Sequence, residues 1–228
     1  MTPSEPSRRC GPRVRPWRSR PGPEGPVEHL LSELSQHVDD PRVLTAIREV
    51  PRDRFVPAHV REDAWSNIAL PIGSGQTISQ PLVVARMCEL LELRGDERVL
   101  DVGTGSGYHA AVLARLVAHV WSVEVLPDLA ERAAAALTAT GVENVTPLVG
   151  DGSLGHAAAA PYDAINVAAA MKQVPPALTD QLAAGGRLVG PVDDGDPRLV
   201  LLRRDGDGEL HRAQYERVRF VPLISARH

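Results

Sequence analysis

The 228-residue sequence lacks the features that mark several protein classes. It has only two cysteines, Cys10 and Cys88, in unlike contexts, which excludes a disulfide framework and favours free thiols in a cytoplasmic protein. No apolar run approaches roughly 18 residues, so we expect no membrane span. No apolar stretch follows Arg8 and Arg9, so we expect no export signal. The eight histidines never take a metal-ligand spacing, and nothing in the sequence requires a metal.

Charge is distributed unevenly along the chain. Residues 1–26 hold six Arg and two Glu, which is +4, whereas the whole chain is −4, so the remainder carries −8. An acidic body argues against a nucleic-acid partner. The first 26 residues have almost no large apolar side chains, so we expect a disordered tail, with a basic recruitment arm as the alternative. Residues 27–228 are expected to form one domain, with helices and a substrate loop over 27–97 and a sheet core over 98–228.

A glycine-rich stretch dominates the middle of the sequence. The run RVLDVGTGSGY (residues 98–108) joins a short apolar segment to a helix-like one through Gly103, Gly105 and Gly107. This pattern is typical of a buried parallel strand, a tight turn and a helix start. Such a turn at the carboxyl end of a strand is the usual ligand crevice of an open α/β sheet, because bare backbone lets a ligand approach closely.

Three successive predicted strands end near an acidic residue: Asp101, Glu124 and Asp151. Glu124 lies about 20 residues beyond the turn, where such folds bind a ribose. The glycine spacing is G-x-G-x-G, which disfavours the G-x-G-x-x-G of a dinucleotide site and therefore a nicotinamide-dependent reductase. A ligand with a positive centre and no phosphate suits three acids better, and S-adenosylmethionine is such a ligand. The alternative is that the glycines form only a tight turn and the acids are solvated.

The remaining patterns predict the elements around this turn. Helices are expected from Val27 and from Pro41, an extended turn over residues 50–57, and a loop or short extended pieces over residues 64–81. Ser79 is a candidate N-cap for the helix that follows that loop. After a fourth strand, a helix from Pro176 ending at Gly185, a fifth strand and a terminal hairpin are expected. The fold class is therefore α/β, a doubly wound and mostly parallel seven-stranded sheet with helices on both faces. His109 and His156 are interpreted as polar surface residues.

Methyl transfer from a sulfonium requires alignment of the acceptor and exclusion of water. No His–Asp or Lys constellation marks a general base, and a carboxylate acceptor needs none, because it is already ionised at neutral pH. Hydroxyls and backbone N–H groups of the run Gln76–Ser79 could orient such an acceptor. The marks of nucleic-acid methyltransferases are missing: Asn166-Val167-Ala168-Ala169 replaces their [N/D]-P-P-[Y/F] run, and neither cysteine follows a proline.

From residue 27 to residue 224 the chain closely resembles the protein-L-isoaspartate O-methyltransferase family. The resemblance is carried by ALPIGSGQTISQP (residues 69–81), VLDVGTGSGYHAAVLA (99–114), APYDAI (160–165) and RFVPL (219–223). It implies an enzyme that methylates the α-carboxylate of isoaspartyl residues in damaged proteins. The methyl ester then closes to a succinimide, which hydrolyses partly to normal aspartate.

The resemblance also assigns roles to residues. It places the catalytic hydroxyls at Ser79 and Thr77, with Ser79 as an orienting group and not a nucleophile. Substrate contacts are expected from Ser79, Val221, Pro222 and Leu223. Residues expected to bind the cofactor are Gln76, Thr77, Ile78, Asp101, Gly103, Thr104, Gly105, Ser106, Gly107, Glu124, Asp151 and Gly152.

Some residues depart from the family pattern. Asn166 and Ala168 stand where the family more often has an apolar residue and a Thr or Gly, and the tail is no part of the usual enzyme. Two alternatives therefore stay open: methylation of a normal aspartate in a dedicated precursor peptide, and a cofactor-binding adaptor without turnover. The expected partners are isoaspartyl proteins or peptides, without nucleic acid or membrane. A monomer is compatible with the sequence, which does not give the oligomeric state.

Overall fold

The computed structural model describes residues 25–225, so the tail predicted for residues 1–26 lies almost entirely outside the described residues. The helices are α1 Pro26–Leu34, α2 Pro41–Glu49, α3 Pro81–Leu90, α4 Tyr108–Ala114, α5 Pro127–Ala139 and α6 Pro176–Asp180. The strands are β1 Leu70–Gly73, β2 Gln76–Ile78, β3 Arg98–Val102, β4 His119–Glu124, β5 Val145–Val149, β6 Tyr162–Val167, β7 Leu182–Val192, β8 Arg198–Arg204 and β9 Leu210–Arg217.

Seven of the strands form one sheet in the order β5-β4-β3-β6-β7-β8-β9. The pairs from β5 to β7 are parallel, and β8 and β9 add two antiparallel pairs at one edge. This confirms the predicted doubly wound sheet with its terminal hairpin. Because the chain builds outward from β3 to β5 and then returns to place β6 on the other side of β3, the strand order reverses between β3 and β6. Ligands of open α/β sheets bind at such a reversal, outside the carboxyl ends of the strands.

The two faces of the sheet bury separate apolar clusters, because successive side chains of a strand point to opposite faces. Val99 of β3 and Ala164 of β6 belong to the cluster that also contains the buried side chains of α1 to α5. Their neighbours Leu100 and Ile165 belong to the second cluster, which is covered by Leu178 of α6. Side chains on both faces of β3 and β6 are thus buried from solvent, as is usual for central strands of a parallel sheet.

The segment before β3 packs on the face of the sheet that carries Val99 and Ala164, and it includes a small hairpin made by β1 and β2. Arg52 is fully buried beneath the loop that leads into this hairpin, and its guanidinium donates to the carbonyl oxygens of Ala64 (2.8 Å) and Ile68 (3.3 Å). The same guanidinium lies 4.9 Å from the ring centroid of Tyr108, at the start of α4. Burial lowers the pKa of Arg52 to about 10, so the side chain stays charged at neutral pH. Arg52 therefore links the hairpin to the helix that follows the glycine turn.

Two local predictions were wrong. The helix from Pro176 ends at Asp180, and Gly185 lies inside β7, because the chain pairs with β6 already at Leu182. The segment expected to be extended contains a 3-10 helix, Arg52–Phe55, which places Arg52 and Phe55 in the interior. Within residues 25–225, no helix combines the length and the apolar character needed to cross a membrane.

Candidate active site

The glycine turn after β3 has the backbone conformation that its sequence predicts. Gly103, Gly105 and Gly107 have φ of 89°, 56° and 88°, in the left-handed region that side chains rarely adopt. The N–H of Gly103 donates to the carbonyl oxygen of Val123 (2.9 Å), which ties the turn to β4. Gly103 and Gly105 line a narrow crevice of about 50 Å³ at the carboxyl ends of the strands. Gly107 precedes α4, and Ser106 faces a different cavity, beside Arg132.

Glu124, at the end of β4, lines the same crevice and is only 6% exposed. Its Oε2 accepts a hydrogen bond from the N–H of Gly105 (2.8 Å), and its Oε1 accepts one from the N–H of Leu126 (3.1 Å). Each carboxylate oxygen has more than one lone-pair direction, so Glu124 can accept a further bond from a ligand. The side chain therefore holds the turn in place and presents an anion to the crevice.

Asp101 does not line the crevice and lies behind the turn, with 0% exposure. Its carboxylate accepts a hydrogen bond from Ser122 Oγ (2.6 Å) and another from Asn166 Nδ2 (2.7 Å). Because the Ser122 proton is directed to Asp101, Thr104 must donate in its 2.7 Å contact with Ser122 Oγ. Burial raises the pKa of Asp101, and the hydrogen bonds from Ser122 and Asn166 oppose that rise. The contact between Asp101 and the cofactor stays a prediction. The hydrogen bonds that connect Asp101 through Ser122 to Thr104 of the turn are observed.

The network continues away from the crevice to His109 and Cys88. Asn166 Nδ2 lies 3.3 Å from His109 Nδ1, and His109 Nε2 lies 3.6 Å from Cys88 Sγ. Burial lowers the pKa of His109 to about 3, so the imidazole is neutral at physiological pH. The expectation of a surface histidine was wrong, because α4 packs His109 into the interior with 6% exposure. Asn166 belongs to the buried network behind the site, although sequence reasoning treated it only as a departure from the family pattern. The signal was a polar residue within an apolar strand.

Asp151 and Gly152 follow β5, and of these two residues Gly152 lines the crevice. Asp151 Oδ1 accepts from the N–H and hydroxyl of Ser153 (2.9 and 2.6 Å), and Oδ2 accepts from the hydroxyl of Ser225 (2.9 Å). A Cβ added to Gly152 would lie 2.5 Å from Cγ1 of Val102, closer than real Cβ contacts allow. Only glycine therefore lets the loop after β5 lie this close to the end of β3.

A C-terminal segment, residues 221–225, crosses the carboxyl ends of the strands. The N–H of Ala170 donates to the carbonyl oxygen of Val221, and the N–H of Leu223 donates to that of Ala170, both at 2.8 Å. Val221, Pro222 and Leu223 form one wall of the crevice, and of these three residues, which the resemblance assigns to the substrate, Val221 also lines the larger groove described below. The segment thus closes a crevice whose opposite wall is the glycine turn.

A larger groove of about 700 Å³ adjoins the crevice. Thr77, Ala168 and Val221 line both spaces, so we call these three residues the junction. Gln76 lines the crevice and Ser79 lines the groove, whereas the side chain of Ile78 is buried in the core. The N-cap of α3 is Gln80 and not Ser79, so the N-cap interpretation of Ser79 was wrong.

The polar groups of the groove suit an acceptor that is already ionised. Within residues 25–225, the hydroxyls of Thr77 and Ser79 make no hydrogen bond to another side chain or to the backbone, and both border the groove. The lining contains neither His nor Lys, and its one carboxylate, Asp196, is held by Arg198 and Arg217. The groove therefore offers hydroxyl donors but no evident base, which is what a carboxylate acceptor requires.

Comparisons with known proteins agree with this geometry. The family model described as protein-L-isoaspartate(D-aspartate) O-methyltransferase matches residues 26–228. The chain is 55% identical over 206 residues to protein-L-isoaspartate O-methyltransferase 1 of Anaeromyxobacter sp., covering 86% of this chain and 97% of the relative. It is 48% identical over 200 residues to protein-L-isoaspartate O-methyltransferase 2 of Archaeoglobus fulgidus, covering 86% of this chain and 91% of the relative.

Solved structures show the same fold. One protein-L-isoaspartate O-methyltransferase superposes with a TM-score of 0.79 at 29% identity, covering 86% of this chain and 65% of that one. A Plasmodium falciparum protein described under the same name, in complex with S-adenosyl-L-homocysteine, gives a TM-score of 0.74 at 24% identity, covering 88% and 99%. The sequence matches and the family model together show that this chain belongs to the protein-L-isoaspartate(D-aspartate) O-methyltransferase family.

Proposed function

We propose that the crevice binds S-adenosylmethionine, that the groove binds a peptide, and that methyl transfer takes place at the junction between them. The enzyme transfers a methyl group to the carboxylate of L-isoaspartyl residues in damaged proteins and peptides, which starts their repair through a succinimide. The observation that carries the assignment of sites is the junction itself. Thr77, Ala168 and Val221 are the only lining residues that the crevice and the groove share within residues 25–225.

The polar and backbone groups of the crevice suit this methyl donor, and because a volume of about 50 Å³ lies below the roughly 300–1,000 Å³ of ligand pockets, binding requires the crevice to open. The left-handed glycines expose bare backbone on one side, and Gly152 leaves no room for a Cβ on the other. Glu124 presents a carboxylate to the crevice, which suits ribose hydroxyls. Asp151, adjacent in sequence to the lining residue Gly152, is the acceptor that we assign to the adenine amino group. The apolar wall of Val221, Pro222 and Leu223 excludes water from the space between them. Gln76, Gly103 and Gly105 complete the residues we assign to the methyl donor.

The residues of the groove act by orientation. S-adenosylmethionine, when bound, supplies a methyl group on a positively charged sulfur. A carboxylate with an ordinary pKa of about 3.9 is ionised at neutral pH and attacks without a base. The hydroxyls of Thr77 and Ser79 can each donate a hydrogen bond to it and fix its direction of approach, which is the larger part of such catalysis. The methyl ester that forms is uncharged, so the same hydroxyls bind the product less strongly than the substrate.

The two other functions considered from the sequence gain no support. The two sequence relatives described above are named as isoaspartate methyltransferases, and the match covers 97% and 91% of their lengths. Two free hydroxyls at the groove also favour turnover over binding alone. For the location of the enzyme we propose the cytoplasm, because Cys88 is a buried free thiol.

The decisive experiment compares two peptides that differ only in having an isoaspartyl or a normal aspartyl residue. We expect labelled methyl transfer from S-adenosylmethionine to the isoaspartyl peptide alone. Methylation of the aspartyl peptide at a similar rate would contradict the proposed specificity.

The variant Ser79→Ala tests the role of the groove hydroxyl. Loss of one hydrogen bond to a charged group costs about 1.5–3 kcal/mol, so kcat/KM should fall roughly ten- to a hundredfold. The affinity for S-adenosylmethionine, measured by calorimetry, should stay unchanged, because Ser79 does not line the crevice. Ser32→Ala, at an exposed position of α1, is the matched control. Equal loss of turnover and cofactor affinity in Ser79→Ala would mean that Ser79 supports the fold of the loop.

A further inference from the structure

Arg219 is a cation of the groove without an acidic partner. Its side chain is exposed and lines the groove, and it makes no ion pair or hydrogen bond within residues 25–225. The neighbouring arginines differ from it. Arg217 Nε lies 2.6 Å from Asp196 Oδ1, and Arg198 Nε lies 2.7 Å from Asp196 Oδ2. Because Asp196 is held by two guanidinium groups, it leaves the charge of Arg219 unbalanced.

The position of Arg219 separates it from the acceptor carboxylate. Arg219 lines the groove but not the crevice, whereas Val221, two residues further along the chain, lines both. The acceptor must reach the junction, since only there can it meet the methyl donor. A cavity of about 700 Å³ is large enough for several residues of a peptide. Arg219 therefore faces a residue that flanks the isoaspartyl group.

We propose that Arg219 determines substrate preference by pairing with an acidic side chain next to the isoaspartyl residue. This inference rests on the proposed function, because it assumes that the groove holds the peptide. An exposed ion pair is weak and is screened by salt, so we expect a preference of about two- to fivefold for the acidic peptide. The preference should act on binding and leave the chemical step unchanged, because Arg219 does not line the crevice proposed for the methyl donor.

The test uses isoaspartyl peptides that differ at one neighbouring position, Glu against Gln, with separate pairs for the N-terminal and C-terminal side. We expect the wild-type enzyme to have a lower KM for the Glu peptide of at least one pair, with equal kcat. Arg219→Gln should remove this difference, mainly by raising the KM of the Glu peptide. Arg219→Lys should keep most of it, and high salt should abolish it. Arg48→Gln, at an exposed position of α2 outside the groove, is the charge-matched control and should keep the difference.

Each outcome bears on one hypothesis. An equal rise in KM for the Glu and Gln peptides in Arg219→Gln would place the arginine on the acceptor carboxylate and overturn the inference. A wild-type enzyme that methylates both peptides without preference would overturn it as well, and would leave the proposed function standing. Failure of the wild-type enzyme to methylate either isoaspartyl peptide would refute the proposed function itself.

Discussion

Replacement of Asn166 by Asp tests the buried network behind the glycine turn. Asn166 Nδ2 lies 2.7 Å from Asp101 Oδ1, and both side chains are 0% exposed. Asn166→Asp conserves shape and replaces the donor by a second carboxyl group. Two carboxylates at this distance, shielded from water, cannot both be ionised, so the pair must share one proton.

The expected magnitude follows from proton linkage. In the unfolded chain the new aspartate releases its proton near a pKa of about 3.9, whereas the folded protein retains it. The folded state then binds more protons than the unfolded state, so stability falls as pH rises above the unfolded pKa. The slope is about 1.4 kcal/mol per pH unit and persists until the raised pKa of the pair is reached. Between pH 5 and pH 7 the variant should lose about 3 kcal/mol relative to wild type, a large part of the 5–15 kcal/mol that is typical of domains.

Urea denaturation of wild type and Asn166→Asp at several pH values between 5 and 8 measures this difference. The double variant Asp101→Asn with Asn166→Asp exchanges the two groups and restores one carboxylate beside one amide. It should recover most of the stability and lose the additional slope. If the difference between Asn166→Asp and wild type does not change with pH, the two side chains do not share a proton and the network described here is wrong.

Two further predictions concern the crevice. Gly152→Ala should destabilise the protein by about 1–3 kcal/mol, because the added Cβ would overlap the stiff side chain of Val102. Gly206→Ala, whose added Cβ would meet nothing within 4 Å, is the control and should change the melting temperature little. Equal effects of the two substitutions on the melting temperature would contradict the tight approach of the loop after β5. Glu124→Gln should weaken S-adenosylmethionine binding by about ten- to a hundredfold, because a charged acceptor becomes a neutral amide. Calorimetric titration measures this change, and an unchanged affinity would show that the ligand does not contact the end of β4.

The positions of the crevice residues could be predicted from the sequence because they depend on local rules. Gly103, Gly105 and Gly152 occupy backbone conformations or contacts that exclude other residues, and such positions are visible as glycines after apolar runs. Glu124 could be placed because parallel strands end at one edge of the sheet. These inferences need only the order of the elements and no side-chain packing.

The buried network could not be predicted because it depends on long-range contacts. Asp101 was expected to contact the cofactor, and His109 was expected to be a surface residue of a helix. Their burial depends on contacts between distant elements: His109 of α4 lies beside Asn166 of β6, and Asn166 pairs with Asp101 across 65 positions of sequence. The helix after Pro176 was predicted too long for the same reason. Local preference allowed a helix up to Gly185, and pairing of Leu182 with Tyr162 overrode it.

The junction brings together residues from three distant parts of the chain: Thr77 in the N-terminal hairpin, Ala168 after β6 and Val221 beyond β9. If methyl transfer takes place at the junction, as proposed, a proteolytic fragment that lacks one of these parts should be inactive even when it keeps the glycine turn. Local unfolding of the hairpin or of the C-terminal segment should therefore silence methylation before the central sheet opens. On gentle heating or limited proteolysis, we therefore expect activity to be lost before the central sheet unfolds.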